Sequence, residues 1–335
     1  MISTHQPNHE MTDVAVVIPH FQRQPGLLLR ALRSVFSQTV ANRICIVVCD
    51  DASPISASQE IDNLTDAEIA RVKVVKQTNK GAGPARNNAL DNLPEGIKYV
   101  AFLDADDAWR PAHIENALHA LGLGFDAYFS NFIGVGYPDI GHFERVGSLS
   151  LHSHPCLDEA RKIHALGISA LAHTVVDGGG LIGTSNVVYR FHKYPDLRFR
   201  EEFYNGQDFF FWMDLSELQA RFAFCYDIEC ENGEGINIYQ ASGWGTEKSL
   251  QRLRNELFVW TSVKRFYRLS PDLAQANQRT IRNLQESFGK EIVHRLRHRK
   301  AISGALVRDI LSMAPSTWGR APLGVVKAVL AKARR

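Results

Sequence analysis

Three carboxylates, Asp104, Asp106 and Asp107, fall within four positions directly behind the apolar run Tyr99 to Leu103. Carboxylates this close repel one another, so a cleft keeps them ionised only with a cation or strong hydrogen-bond donors at hand. A hard divalent ion, Mg2+ or Mn2+, shared with a diphosphate answers that need, with Asp104 and Asp106 as its candidate ligands. The plainer alternative has Asp107 capping the next helix and the other two solvated in a turn. Asp50 and Asp51 form a second acidic pair behind another apolar run. The stretch Gly81-Ala82-Gly83-Pro84-Ala85-Arg86 has the glycines of a dinucleotide-binding turn but puts Arg where that turn uses Gly or Ala for close helix packing. An Arg on the first turn of a helix can instead reach a phosphate or a pyrimidine carbonyl, or simply stand in solvent. His20, His142, His154, His164, His173 and His192 show no ligand spacing such as HxxxH, so no histidine metal site is assigned.

These residues need a frame, and the hydrophobic pattern supplies one. Val14 to Ile18 reads as a strand. Leu27, Leu28, Ala31, Leu32, Val35 and Phe36 follow with helical spacing, and Ile44 to Cys49 is a second strand. Further strands are predicted at Val72 to Lys76 and Tyr99 to Leu103, with a helix from Pro84 to Leu93 between them. Such alternation favours a mostly parallel sheet wrapped by helices, an α/β fold of Rossmann-like character. Ligands of such sheets bind beyond the carboxyl ends of the strands, where the polar residues singled out above all fall. The middle of the chain, Phe125 to about Tyr239, is rich in Gly, aromatics and short strand-like runs, as expected of an acceptor-binding half.

Five segments, taken in order, resemble the successive signatures of family 2 glycosyltransferases with the GT-A fold. They are Val16 to Phe21, Ala31 to Thr39, Cys49 to Ser53, Asn79 to Asn88 and Phe102 to Asp107. Five signatures in order are far more specific than any one. The run from Gly235 to Gly245 further resembles bacterial exopolysaccharide members of the succinoglycan-glucosyltransferase type. The resemblance implies a nucleotide-diphospho-sugar transferase with a UDP-sugar donor. The loop after the first strand, with Pro19 and Phe21, and Asp50 or Asp51 would hold the nucleobase and ribose, and Arg86 would face the nucleotide. Asp50 and Asp51 can equally form an Asx-type turn with Ser53, and both roles are compatible. The family also keeps a carboxylate base in a Glu-Asp pair at the start of a helix. The matching segment here is Asn205-Gly206-Gln207-Asp208, so Gln207 departs from the pattern while Asp208 keeps it. The aromatic run Phe209 to Trp212 would partly desolvate Asp208 and suit it to base catalysis, although an Asp at a helix start is also a common cap. Glu202 and Trp244, with Glu201 and Thr184 to Asn186, are weaker candidates for sugar contacts.

The implied organisation is a GT-A catalytic domain over 13–240, its nucleotide-sugar half at 13–124 and acceptor half at 125–240, followed by a basic helical C-terminal region at 241–335. Basic amphipathic stretches at Arg295 to Lys300 and Leu323 to Arg335 can lie on an anionic bilayer or form a solvated helix. A net charge of +2 gives no global field for nucleic acid, so none is expected as a partner. Five cysteines without a CxxC pair argue against a disulfide framework or zinc ribbon. Met1 to Thr12 lack an apolar leader core, and nowhere do about 18 apolar residues run together. The expected place is therefore the cytoplasm, with peripheral association at the inner face of the cell membrane. Two rival classes are an NAD(P)-binding oxidoreductase, which leaves the Asp-rich segment unexplained, and a noncatalytic nucleotide- or sugar-binding module, which activity alone separates.

Overall fold

The computed structural model describes residues 12–147, 149, 151–235 and 243–333. The chain opens with β1 (Val14–His20), α1 (Leu27–Phe36), β2 (Ile44–Asp50), α2 (Ala57–Ile61), α3 (Asp66–Ile69) and β3 (Val72–Lys76). It continues through α4 (Ala82–Asp91), β4 (Tyr99–Phe102), β5 (Ala108–Trp109), α5 (His113–Gly122), β6 (Ala127–Ile133) and α6 (His142–Val146). Next come β7 (Cys156–Asp158), β8 (Ile163–Ala165), α7 (Ala170–Asp177), β9 (Val188–Tyr189), α8 (Gln207–Glu217) and β10 (Phe222–Glu231). Four helices follow: α9 (Ser249–Phe266), α10 (Pro271–Arg297), α11 (Gly304–Met313) and α12 (Thr317–Ala333). Two compact units emerge. The first draws on the described residues of Met1–Leu171, Gly180–Arg200 and Phe210–Ile236, the second on those of Ala172–Gly179, Glu201–Phe209 and Asn237–Arg335. The domain boundary expected at residue 240 lies outside the described residues, as do Met1 to Met11 and most of the Gly235 to Gly245 run.

In the first unit the sheet runs β3-β2-β1-β4-β9-β6-β10-β8-β7, with β5 pairing on β10. β3, β2, β1 and β4 are mutually parallel; β9 enters antiparallel between β4 and β6, and β10 lies parallel to β6. The strands read as unbroken apolar runs because both faces are covered. Val14, Val16 and Ile18 pack under Leu28, Ala31, Leu32 and Val35 of α1, which recur at helical spacing. Ala15, Val17, Val47 and Cys49 meet Ala85 and Ala89 of α4 on the opposite face. The start of α1 has no side-chain cap of its own; the buried Glu60 of α2 accepts from the Gly26 and Leu29 amides instead. The β1/β2 register ends with His20 opposite Asp50, and Asp50 pairs in turn with Lys76, so the loops after β1, β2 and β3 leave the sheet side by side.

The second unit is built on α9 to α12. α10 starts from Ser270, whose side chain accepts from the Leu273 amide, with Pro271 at its first position. Its buried side is partly polar. Glu291 and Arg295, one helical turn apart, pair at 2.8 Å, and Arg295 also donates to the carbonyls of Thr246, Glu247 and Ala301. Glu291 accepts from the Gly245 amide and the Ser249 hydroxyl. A buried ion pair of this kind carries its desolvation only when its remaining donors and acceptors are matched, and here they are used to hold the chain entering α9. α12 lies backbone to backbone on α10. A β-carbon at Gly289 would collide with the Ala321 backbone, and one at Gly324 with the Glu286 backbone.

Candidate active site

The loops at the carboxyl ends of β1, β2 and β3 are joined by hydrogen bonds. The Asp51 amide donates to the His20 carbonyl, and its carboxylate accepts from the Lys80 and Gly81 amides and the Gln77 side chain, each at 2.8 Å. Asp50 accepts from the Ser53 amide, which is the Asx-type turn expected, and from the Ala57 amide. Both carboxylates are buried. Gly81, with φ of 95°, provides the left-handed turn into α4, and the helix begins at Ala82, two residues before the expected Pro84. Pro19 and Phe21 are half-buried beside these loops, and His20 is buried with Nε2 2.7 Å from the Ile55 carbonyl.

Arg86, on α4, is 3% exposed and donates Nη2 to Asp104 Oδ1 at 2.5 Å, with its guanidinium over the Phe199 ring. Its Nε and Nη1 are buried without a hydrogen-bond partner. Unpaired buried N–H groups of a cation are expensive, so they mark a place where an acceptor is wanted. Asp106 accepts at Oδ2 from the Gly235 amide, 2.9 Å away. Asp107 is buried and accepts from the Ser185 hydroxyl and, at 2.9 Å, from the Gly233 amide. It therefore caps no helix; α5 begins at His113 behind Ala112. Burial, then the negative charge of Asp104, pushes the Asp106 carboxyl up to about 6, and burial with both neighbouring carboxylates pushes Asp107 well above its ordinary range. The cluster is thus short of positive charge.

Among the described residues no three His, Cys, Asp or Glu side chains converge as a closed ligand set. The donors present still fit a hard cation in one respect. They are carboxylate oxygens, Asp106 is only half-buried, and the raised carboxyls would be relieved by added positive charge. An ion held here needs further oxygens from its ligand.

Several of the residues that shape this site carry no sequence signature. Ser185, expected only as a sugar contact, instead donates to Asp107, accepts from the Asp104 amide at 3.0 Å and takes the Trp109 indole N–H on its carbonyl. Gly233 and Gly235 belong to the Gly-rich middle of the chain, and a β-carbon at either would collide with Asp106. Arg30 of α1 donates to the Asp106 carbonyl at 3.2 Å. The glycine pair straight after a strand was the one available clue.

Asp208, Glu202 and Trp244 belong to the second unit. Asp208 is the second residue of α8, half-buried, with its Oδ1 3.0 Å from the Phe209 amide. Gly206 before it has φ of 78° and faces Val259 so closely that a β-carbon would come to 2.9 Å. Glu202 is exposed. Trp244 is exposed, its ring 5.9 Å from that of His294.

The sheet order, the antiparallel β9 and the acid-bearing loops beyond β2 and β4 define a GT-A nucleotide-sugar transferase fold with a helical C-terminal region. Comparison with known proteins agrees. S. aureus TarS 1-349 in complex with UDP-GlcNAc superposes with a TM-score of 0.56 at 15% identity, covering 91% of this chain and 80% of that one. The mannosyltransferase PcManGT from Pyrobaculum calidifontis, in complex with GDP-Man and Mn2+, gives a TM-score of 0.58 at 15% identity, covering 96% and 88%. A profile of Glycosyl transferase family 2 matches residues 15–146. The chain is 30% identical to the succinoglycan biosynthesis protein ExoW of Rhizobium meliloti over 275 residues, 79% of this chain and 83% of that one. It is 40% identical over 88 residues, 26% of this chain and 33% of the other, to the E. coli UDP-Glc:alpha-D-GlcNAc-diphosphoundecaprenol beta-1,3-glucosyltransferase WfaP. The chain belongs to glycosyl transferase family 2 and is a glycosyltransferase, which displaces the dinucleotide-binding and noncatalytic readings.

Proposed function

We propose that this enzyme is an inverting, divalent-metal-dependent transferase that moves a hexose from a UDP-sugar to a hydroxyl of a saccharide or lipid-linked saccharide in cell-surface polysaccharide assembly. The observation that carries the reading is the loop Asp104 to Asp107, charge-deficient and set beside a buried Arg86 with unpaired donors. The polysaccharide setting rests on the likeness to ExoW, and a lipid-linked acceptor and UDP-glucose donor on the shorter likeness to WfaP.

In this reading Pro19, Phe21 and one of Asp50 or Asp51 form the nucleoside pocket. Asp51 already serves three protein donors and leaves less acceptor capacity for a uracil imide, while also fixing the turn into α4. Arg86 directs its Nε and Nη1 donors to the nucleotide. Asp106 and Asp104 would hold the divalent ion. When bound, that ion supplies Lewis-acid neutralisation of the departing diphosphate. Asp208 accepts the acceptor hydroxyl proton while the oxygen attacks the anomeric carbon and the nucleoside diphosphate leaves; one displacement inverts the centre. Glu202 and Trp244 are assigned to acceptor contacts. The basic C-terminal helices suit work at the inner face of the cell membrane, and among the described residues no helix is long and apolar enough to cross one.

The test is a screen of UDP-sugars by UDP release, with Mn2+ or Mg2+ and a crude lipid extract as acceptor source. Release from one UDP-hexose that stops on EDTA and returns with the ion supports the reading. Full transfer in EDTA removes the metal from it, and turnover only of another nucleotide class removes the donor.

A further inference from the structure

Helix α12 is turned the unusual way round. Trp318 is 71% exposed and Leu323 48%, with Gly319 and Pro322 exposed between them. These positions, at i, i+1, i+4 and i+5, share one side of a helix. The opposite side carries Thr317, Ala321 and Gly324, and it is this small-residue side that lies against α10. Because Gly289 and Gly324 allow backbone contact that no side chain would permit, the helix cannot roll its large apolar residues inward without losing the seam. At the end of α10, Leu296 is 64% exposed beside the exposed Arg297 and Arg299, and Arg308 of α11 is exposed as well. Residues 292–335 hold ten Lys or Arg against the single acid Asp309.

We infer that the outward side of α12 is a docking surface for an anionic lipid bilayer, with Trp318 and Leu323 entering the headgroup layer and the surrounding cations meeting lipid phosphates. An exposed apolar strip costs solubility unless something covers it. The charge selects the cover. Two copies of so basic a region repel each other, whereas a membrane rich in phosphatidylglycerol attracts it, and Trp beside Arg and Lys is a composition suited to the interface. The inference deepens the lipid-linked reading of the acceptor by naming the surface that would bring the enzyme to it.

The experiment is flotation of the full chain with vesicles of phosphatidylcholine alone or mixed with phosphatidylglycerol, using the native protein, Trp318→Ser/Leu323→Ser, and Arg297→Gln/Arg299→Gln. Native protein is expected on the mixed vesicles only and to be released by salt. Each double variant should bind about tenfold or more weakly, with an unchanged melting temperature because all four side chains are exposed. Equal flotation of the native and Trp318→Ser/Leu323→Ser proteins, or equal binding to neutral vesicles, overturns the inference. So does a native dimer in sedimentation that the same variant dissolves. UDP binding with Mn2+, measured in parallel, separates failure here from failure of the catalytic reading.

Discussion

Asp106 and Asp107 are adjacent, yet the protein treats them differently. Asp107 is buried and turned inward onto Ser185 and Gly233, while Asp106 is only half-buried and takes the Gly235 amide. Asp106→Asn should therefore abolish Mn2+-dependent UDP binding in calorimetry while leaving the melting temperature near native. Unchanged affinity would dismiss Asp106 as a ligand. Asp208→Asn is the complementary change. Donor affinity should persist while transfer falls by roughly two to four orders of magnitude, the usual scale for a lost general base; near-native turnover would shift the role towards Glu202. A third residue sets a pH dependence. His142 Nε2 is 2.5 Å from the Gly180 carbonyl, and Arg145 donates to its Nδ1 at 2.8 Å, an arrangement only a neutral ring allows. Burial accordingly lowers its pKa below the ordinary 6.5. The folded ring then binds fewer protons than the unfolded one, so this contribution to stability is intact above about 6.5 and is lost as pH falls through it. Thermal melts at about pH 5 and pH 7.5 should show the loss, with His142→Gln flattening part of it.

At the scale of elements, the strands up to Asp107 and the helices α1 and α4 were legible because their apolar residues repeat with clean periods, whereas the short α2 and α3 were not read. β1, α1, β2, β3 and β4 lie where Val14, Leu27, Ile44, Val72 and Tyr99 open their runs. Legibility failed where an element is defined by its neighbours. β9 is two residues long and exists by pairing with β4 and β6, and β5 exists by pairing with β10. The site divides the same way. Asp104, Asp106 and Arg86 declare themselves by charge and spacing. Ser185 and the two glycines act from far along the chain through an ordinary hydroxyl and two amides, which no local pattern marks. The glycine strap gives an element-scale prediction. Gly235→Ala forces a β-carbon into the Asp106 carboxylate, so metal-dependent UDP affinity should drop by about tenfold or more while the circular dichroism spectrum stays native. Native affinity would show the strap to be passive.

For the whole molecule, the match to the family profile ends at residue 146, but the sheet does not. β10 is the partner of β6, β5 and β8 at once, and it arrives after residue 221. A fragment of residues 15–146 should therefore lack a cooperative melting transition and bind no UDP, because Tyr128, Phe129 and Phe132 would lose much of their cover. A sharp transition in that fragment would show the donor half to be self-sufficient.

The strap that closes over Asp106 and Asp107 also limits how such enzymes can be recombined. Shuffling donor halves among relatives at a junction near residue 124 looks natural from the order of motifs, because every residue proposed to face the nucleotide would travel together. The acids would nevertheless arrive without Ser185, Gly233 and Gly235, whose donors come from the recipient. A chimera would keep its inherited specificity only when the recipient supplies a hydroxyl and two glycines in matching register. On the proposed reading the module for donor choice is thus discontinuous in the chain, and a swap intended to change the sugar should carry residues 183–186 and 232–235 with it.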